Sequence, residues 1–444
     1  MASKTVNAWC LYDWANSAFA TTVMAAMFPP FFRSLATRAG LASADATAYW
    51  GYTTAIALLI IAVLAPLLGA VSDVTGRRKW YLASFAGLGI LACFAFATIG
   101  EGDWQLAAGL FIAGNIGFAG SIVFYESLLP HLAAGGEMDR ISTRGYAFGY
   151  AGGGLLLLVN VVWVMQPGWF GFPDAGFALK VCFISVGVWW GLFSVPLLRR
   201  LPEPPAAASA RGGSISEGLT RLRGTVRDLR RYRQLFIFLV AYWIYNDGIG
   251  TIIKMATAYG DEIGIRLVDM TIALLITQVV GVPCSFAFGA LAGRLGAKGA
   301  ILVALAVYTA ISFGSFFMRT ALHFYILAFL VGTVQGGSQA LSRSLFGAMV
   351  PKHKSAEFYG FYSTSAKFAG IVGPVLFGVV SQLIGHSRLS IVSLIVFFVV
   401  GGLVLKRVDV AEGIRVARAA EAEVSGGAAT GGAATTATLP DQST

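Results

Sequence analysis

The stretch GAVSDVTGRRK, residues 69 to 79, combines two glycines, an acid and a run of basic residues at fixed spacing. It lies between two apolar segments, so it is the turn that joins them. Gly69 and Gly76 permit close helix packing and an unusual turn, and Asp73 can pair with a cation or with the N-terminus of a neighbouring helix. Basic residues alone would be the ordinary flank of a membrane segment. The ordered set predicts a specific contact at this turn.

The same pattern recurs 220 residues later in the chain. Residues 289 to 299 read GALAGRLGAKG, which keeps the glycines, Arg294 and Lys298 but has Gly293 where Asp73 stands. Three further pairs share the offset: Asn115 with Gln335, Gly117 with Gly337, and Gly153 with Gly373. The sequence therefore predicts two duplicated halves, with a weaker contact at the second copy.

Apolar segments of about 20 residues fill both halves, and each is long enough to cross a hydrocarbon core of about 30 Å as a helix. In the first half we place spans near residues 10–32, 50–72, 80–100, 104–128, 144–166 and 177–199. In the second half we place them near residues 235–254, 269–292, 299–318, 322–345, 359–382 and 388–405. The alternating ten-residue segments of a membrane β-barrel are not seen. We expect an all-α integral membrane protein with twelve transmembrane helices in two six-helix bundles, 1–199 and 235–406.

Composition and charge agree with a membrane protein. The 444 residues are 57% apolar and 12% charged, against roughly 25% charged in soluble proteins. The net charge of +10 does not point to nucleic acid, because 24 of the 32 Lys and Arg residues fall on one side of the predicted topology. By the positive-inside rule this side, which includes both termini, is cytoplasmic. In a bacterium the host membrane would be the inner, cell membrane.

Two segments lie outside the bundles. Residues 200–234 are predicted to be a cytoplasmic linker, in which apolar residues repeat at helical spacing between residues 215 and 229 among several arginines. This is typical of a basic amphipathic helix on the inner leaflet, or of a solvated linker helix. The tail, residues 407–444, ends in Gly-Gly-Ala-Ala-Thr repeats and is expected to be largely disordered.

Further motifs indicate a family. Tyr12 to Phe19 reads YDWANSAF, and WIYNDGIG, QALSRS and GPVLFG follow at residues 243, 339 and 373. Together with GAVSDVTGRRK, they resemble the vacuole effluxer-like branch of the major facilitator superfamily over nearly the whole chain. The resemblance implies the major facilitator fold, cytoplasmic termini and a cytoplasmic gate, and in eukaryotic relatives amino-acid efflux. Glu126 stands where the family more often has an amide, so no role is transferred to it.

Polar residues inside apolar spans are the best functional candidates, because a charge in hydrocarbon is costly unless it has a partner or a cavity. Asp247 lies near mid-membrane and suits proton exchange, or is a structural acid. Asp13 is nearer the cytoplasmic surface and is either functional or a helix-start residue among interface aromatics. We assign to the substrate or proton pathway Asp247, Asp13, Asn16, Asn246, Asn115, Gln335 and Tyr245. We assign to the cytoplasmic gate Gly69, Asp73, Gly76, Arg77, Arg78, Arg294 and Arg343.

Other function classes fit the sequence less well. It has no GxxxxGK[ST] loop for ATP, so the energy source is expected to be a gradient. The cysteines and histidines show no metal-ligand spacing, and no paired-acid motif suggests an enzyme; no cofactor or metal is expected. A solute-binding membrane sensor remains an alternative. We expect a monomeric, proton-coupled carrier of a small solute, with amino acids as the leading cargo because charged anchors are few.

Overall fold

The computed structural model describes residues 2–133, 137–205, 231–262, 264–368, 373, 376, 380 and 387–433. Within these ranges the chain folds into helices joined by short turns. The linker helix predicted between residues 215 and 229 lies outside the described residues, as does the tail after residue 433.

Six helical segments form the N-terminal half. The first, α1, runs through an α-helix (Ala2–Ala18), nine residues of π-helix (Phe19–Met27) and a second α-helix (Phe28–Arg38). The others are α2 (Ser43–Thr75), α3 (Arg78–Ala95), α4 (Trp104–Ser127), α5 (Met138–Met165) and α6 (Ala175–Arg200). The Asp174 side chain accepts the N–H of Phe177 at 2.7 Å, which caps the start of α6.

The C-terminal half has the same plan. Its helices are α7 (Arg233–Glu262), α8 and α9 (the two parts of Leu267–Ser315), α10 (Ala321–Ala348), α11 (beginning with Ser355–Phe368) and α12 (Ser387–Ser393 with Ile395–Lys406). A final helix, α13 (Val410–Ala433), follows. Thr320 caps the start of α10 by accepting the N–H of His323.

Two glycines make the turns at equivalent places of the repeat. Gly76 ends α2 with a left-handed φ of 66°. Gly296, at the repeat offset, has φ 73° and ψ 159° and separates α8 from α9. Residues other than glycine are strained in these conformations. The turns therefore require a glycine at the same place in both motifs.

The number of spans agrees with the sequence. In the described part of the chain, eight helices are long and apolar enough to cross a membrane. One of the eight, Val268–Ser315, has 48 residues and is divided into two spans by the break at Gly296. α1 and α12 consist of shorter pieces, and α11 is described as a helix over Ser355–Phe368. Counted with these three, the spans number twelve. The prediction of an all-α membrane protein with twelve transmembrane helices is confirmed.

Each half has its own apolar core. In the N-terminal half, the ring of Phe28 lies 4.6 Å from that of Phe96 and 5.0 Å from that of Phe111, measured between centroids. In the C-terminal half, Tyr242 and Tyr362 stack at 4.3 Å. Separate cores allow each half to move as a unit.

We call the end of the molecule that holds the α2–α3 and α10–α11 turns the basic end, because Arg78, Lys79, Lys352 and Lys354 lie there. The turn between α3 and α4, with Glu101, lies at the opposite end.

The tail differs from its predicted disorder in its first part. In α13, the side chains of Val410, Ile414 and Val416 pack against the C-terminal core, and Ala417 and Ala420 are buried. The prediction rested on the glycine-rich repeats and gave too little weight to the Ala, Glu and Arg residues before them, which favour helix.

Candidate functional site

Asp73 joins the two halves at the basic end. Its carboxylate accepts Arg78 Nε at 2.8 Å, and both side chains are fully buried. It also accepts the backbone N–H groups of Ala356 at 3.1 Å and Glu357 at 2.8 Å. These N–H groups belong to the first turn of α11, where a helix attracts negative charge. The acid of the N-terminal half thus caps a helix of the C-terminal half.

Arg78 extends this contact. Its Nη1 lies 2.9 Å from His131 Nε2, and its Nη2 donates to the carbonyl of Lys352 at 3.4 Å. A guanidinium only donates hydrogen bonds, so His131 Nε2 accepts and the imidazole is neutral here. The Ser355 hydroxyl, at 3.1 Å, donates to the same nitrogen. His131, which follows α4 in the short helix Leu129–Leu132, therefore links Arg78 of α3 to the start of α11.

Helices α2 and α11 touch backbone to backbone. A Cβ placed on Gly360 would lie 2.6 Å from the carbonyl oxygen of Ala65 and 2.6 Å from the Cα of Pro66. One turn further from the basic end, the Thr364 hydroxyl donates to the carbonyl of Ala62 at 2.8 Å. Glycine is required at residue 360 for this approach.

Helix α5 forms the second seam, against α8 and α10. Near the basic end, the Ser142 hydroxyl donates to the carbonyl of Ala340 at 2.7 Å. Twelve residues further along α5, which is about 18 Å, a Cβ on Gly154 would lie 2.9 Å from the Cβ of Gln278 on α8. The halves are therefore in close contact from the basic end to about mid-membrane.

Arg343 of α10 crosses this interface and enters the N-terminal half. Its guanidinium donates to the hydroxyl and the carbonyl of Ser142, both at 2.9 Å. It also pairs with Asp13 Oδ2 at 3.3 Å, and that oxygen accepts the Tyr125 hydroxyl at 2.8 Å. Arg343 and Asp13 are both buried, with 1% and 8% of their surface exposed.

Aromatic faces surround the same guanidinium. The Arg343 Cζ lies 4.5 Å from the ring centroid of Tyr146, 4.8 Å from that of Trp9 and 5.7 Å from that of Tyr125. Such distances permit cation–π attraction. The Trp9 indole also donates to the carbonyl of Tyr125 at 3.1 Å, which holds the two rings stacked. We call the five residues Trp9, Asp13, Tyr125, Ser142 and Tyr146 the arginine pocket.

Asp247 lies inside the C-terminal half. It is buried, and its Oδ2 accepts the backbone N–H of Gly373 at 3.0 Å. One turn later, Thr251 donates its hydroxyl to the Asp247 carbonyl at 2.7 Å. The hydroxyl groups of Tyr245 and Ser342 are hydrogen-bonded at 2.6 Å, and Asn246 is half-buried.

A cavity of about 160 Å³ lies between the helices of the C-terminal half. Its walls are mostly Ile, Leu, Met and Phe side chains, and its amides are Gln278 and Gln335. Ile252 and Ile253, from the turn after Asp247, also line it. Since Gln278 packs on Gly154 of α5, the cavity borders the interface between the halves.

Two predicted amides are buried elsewhere. Asn115 on α4 and Asn16 on α1 each have 2% of their surface exposed. In the described part of the chain, neither polar atom of the Asn115 amide has a hydrogen-bond partner, and Asn16 Nδ2 also has none. Asn115 thus lies in the N-terminal half, whereas its repeat partner Gln335 lines the cavity of the C-terminal half.

The structure brings together part of each predicted set. Asp73, Arg78 and Gly69 of the predicted gate lie at the α2–α11 contact, and Gly76 ends α2 at the same end of the molecule. Asp13 of the predicted pathway and Arg343 of the predicted gate form one pair. Arg77 and Arg294 are instead exposed side chains.

Sequence reasoning missed His131, Gln278 and most of the arginine pocket. A signal was present on α5, where Asp139, Ser142, Tyr146 and Tyr150 recur every three or four residues and so share one helix face. Among the described residues, no three His, Cys, Asp or Glu side chains are placed to hold a metal ion.

Comparison with known proteins identifies the family. The sequence profile described as "Vacuole effluxer Atg22 like" matches residues 1–418. The chain is 38% identical over 404 residues to the uncharacterized MFS-type transporter YxiO of Bacillus subtilis, which covers 91% of this chain and 94% of that relative. It is 23% identical to autophagy-related protein 22 of Coccidioides immitis, over 94% of this chain and 88% of that relative.

Solved structures agree on the fold. The proton:xylose symporter XylE matches with a TM-score of 0.70 at 14% identity, over 92% of this chain and 96% of that one. FucP in the outward conformation matches with a TM-score of 0.64 at 15% identity, over 92% and 98% of the two chains. The predicted major facilitator fold is confirmed, and the chain belongs to the vacuole effluxer Atg22-like family of the major facilitator superfamily.

Proposed function

We propose that this transporter exports amino acids by alternating access, as a monomer, with protons as the coupling ion and its basic end in the cytoplasm. The observation that carries the proposal is the asymmetric closure of the molecule. The seams formed by α2 with α11 and by α5 with α8 and α10 tie the halves together from the basic end to mid-membrane, and the cavity with Gln278 and Gln335 borders the end of these contacts.

The charge distribution supports the orientation. With the basic end in the cytoplasm, 24 of the 32 Lys and Arg residues lie on the cytoplasmic side, as the positive-inside rule requires. The described conformation is then closed to the cytoplasm. Rocking of the two halves about the cavity would break the contacts of the basic end and expose the site there.

The cavity supports a small cargo with little net charge. Its walls are apolar, and its amides can hydrogen-bond to either a donor or an acceptor. A phosphate or a sugar acid would need cationic partners that these walls do not supply. A zwitterion such as an amino acid fits apolar walls with two amides better.

Asp247 is the residue we propose for proton coupling. It is a buried carboxylate whose Oδ2 accepts the Gly373 N–H, and the next turn of its helix lines the cavity. Protonation would remove its charge and weaken this hydrogen bond. Protonation of Asp247 would then affect both the helix that lines the cavity and the backbone at Gly373.

The proposal is tested in proteoliposomes loaded with labelled amino acids, with and without a pH gradient. We expect wild-type flux that rises with the gradient, gradient-independent residual flux in Asp247→Asn, and wild-type behaviour in Asp174→Asn, which keeps the cap of α6. Flux that ignores the gradient in wild type would contradict proton coupling. The absence of any flux would contradict transport and favour a sensor that binds without moving solute.

A further inference from the structure

The arginine pocket has a property that a simple gate does not need. Every side-chain contact described above for Arg343 lies in the N-terminal half, on Asp13, Ser142 and three aromatic rings. Separation of the halves at the basic end therefore withdraws the guanidinium completely. It leaves a carboxylate among aromatic faces on one side and an arginine without its partners on the other.

The exposed groups match the two charges of an amino acid. A carboxylate with Trp and Tyr faces around it is a site for an ammonium group, through ion pairing and cation–π attraction. The planar fork of an arginine is a site for a carboxylate. In the closed state Asp13 and Arg343 satisfy each other, so the pair occupies the positions that a zwitterion would take between the halves.

The geometry of the pair favours exchange. The two Arg343 nitrogens lie 3.3 Å from the same oxygen of Asp13, whereas tight charge-assisted contacts of this kind measure about 2.7–2.9 Å. Glu126, next to Tyr125 in the chain, interacts electrostatically with Arg343 and adds negative charge near the pocket. A cationic group is therefore attracted to the pocket once the arginine has left.

We propose that the arginine pocket and Arg343 form a cargo site in the conformation open at the basic end, where Asp13 and the rings of Trp9, Tyr125 and Tyr146 bind the ammonium group and Arg343 binds the carboxylate. This deepens the proposed function and rests on it. The site binds the two groups that all α-amino acids share. Cargo binding replaces both partners of the ion pair at once, which offsets the cost of separating two buried charges.

The test is competition against labelled leucine in purified protein. The competitors are leucine, N-acetyl-leucine, which lacks the ammonium group, and 3-methylbutylamine, which lacks the carboxylate. In wild type we expect each analogue to compete at least about tenfold worse than leucine, because each leaves one charged group of the site without its partner. This measurement needs no variant. An analogue that competes as well as leucine in wild type overturns the proposal.

Variants then assign the two groups. In Asp13→Asn we expect N-acetyl-leucine to compete nearly as well as leucine, while 3-methylbutylamine stays poor. In Arg343→Gln we expect the reverse. Asp73→Asn is the matched control, since it disturbs another buried contact of the basic end. In this variant, each analogue should compete as poorly relative to leucine as it does in wild type.

The outcomes separate this proposal from the wider one. Unchanged ratios in both Asp13→Asn and Arg343→Gln, with leucine still bound, would show that the pair is only a gate and would overturn the cargo site alone. If wild type binds no leucine or any other labelled amino acid, the proposed cargo class fails and the cargo site fails with it.

Discussion

Asp73 and Asp13 are both buried carboxylates of the N-terminal half, and each forms an ion pair with an arginine. The arginine of Asp73 is Arg78 of the same half, so opening of the basic end removes the backbone hydrogen bonds of both side chains to the other half but leaves this charge paired. The arginine of Asp13 is Arg343 of the other half, so the same motion separates two buried charges. Loss of such a partner costs about 3–5 kcal/mol. Of these two pairs, Asp13–Arg343 therefore opposes opening more strongly.

Asp73→Asn should shift the protein toward the open basic end. The amide cannot neutralise the buried Arg78, and it accepts the N–H groups of α11 more weakly than a carboxylate does. Ala340 is buried in the α5–α10 seam, so a cysteine at this position in a cysteine-free background reports opening. We expect alkylation of this cysteine to be at least about tenfold faster with Asp73→Asn than without it.

Glu101→Gln is the control for this experiment. It removes an exposed ion pair with Arg38 at the opposite end, and exposed pairs contribute about 0–1 kcal/mol. Equal alkylation rates in wild type and Asp73→Asn would contradict the role assigned to Asp73.

At the residue level, the sequence revealed local chemistry and missed distant pairing. The partners predicted for Asp73, a cation and a helix N-terminus, are those observed. The pairing of Asp13 with Arg343 spans 330 residues, and no local spacing encodes it. It depends on the packing of α1 and α10 across the interface.

At the level of elements, glycines decide where the two halves meet. Gly360 of α11 lies against the backbone of α2, and Gly281 of α8 lies against the Tyr150 ring of α5. Both contacts belong to the two seams that hold the halves together between the basic end and mid-membrane. Gly51 of α2 instead has no atom within 4 Å of where a Cβ would stand.

Gly360→Ala should prevent full closure of the α2–α11 seam. The new methyl group would meet the Ala65 carbonyl and Pro66 at 2.6 Å, and backbone atoms cannot move aside as a flexible side chain can. We expect a strong loss of transport in proteoliposomes. Gly51→Ala should transport normally, because it adds a methyl group in open space and alanine favours helix by about 1 kcal/mol. Equal transport by both variants would show that α2 and α11 do not need to touch.

Helix ends were harder to predict than helix identity. Apolar length located the spans, but α1 begins at Ala2 and α5 at Met138, before their apolar runs. In α5, a polar residue of this first part contacts another helix, because Asp139 accepts the hydroxyl of Ser344 on α10. The tail helix α13 was missed for a related reason. It is held by packing on the C-terminal half, which its composition does not show.

At the scale of the whole molecule, the repeat and the charge bias were visible in the sequence. The offset of 220 residues brought Gly76 and Gly296 to equivalent turns. The location of the cavity was not visible, because Gln278 has no repeat signal and because, of the two amides that the repeat relates, Gln335 lines the cavity and Asn115 does not. Tertiary packing, and not sequence equivalence, decides which amide faces the cavity.

The orientation is a prediction for the intact cell. A membrane-impermeant maleimide applied from outside should modify Glu101→Cys at the opposite end and spare Lys352→Cys at the basic end, because both residues are exposed in the structure but on different sides. Disruption of the cells should make Lys352→Cys reactive. Labelling of Lys352→Cys in intact cells would reverse the assigned topology.

The central claim is that the two halves separate and rejoin at the basic end during transport. The most direct measurement is the distance between spin labels at Arg77→Cys and Lys352→Cys, exposed residues of the two halves on either side of the Asp73 contact. We predict two distance populations, a short one that matches the described structure and a longer one that grows with added amino acid and in Gly360→Ala. A single narrow distance that neither cargo nor Gly360→Ala changes would contradict the account.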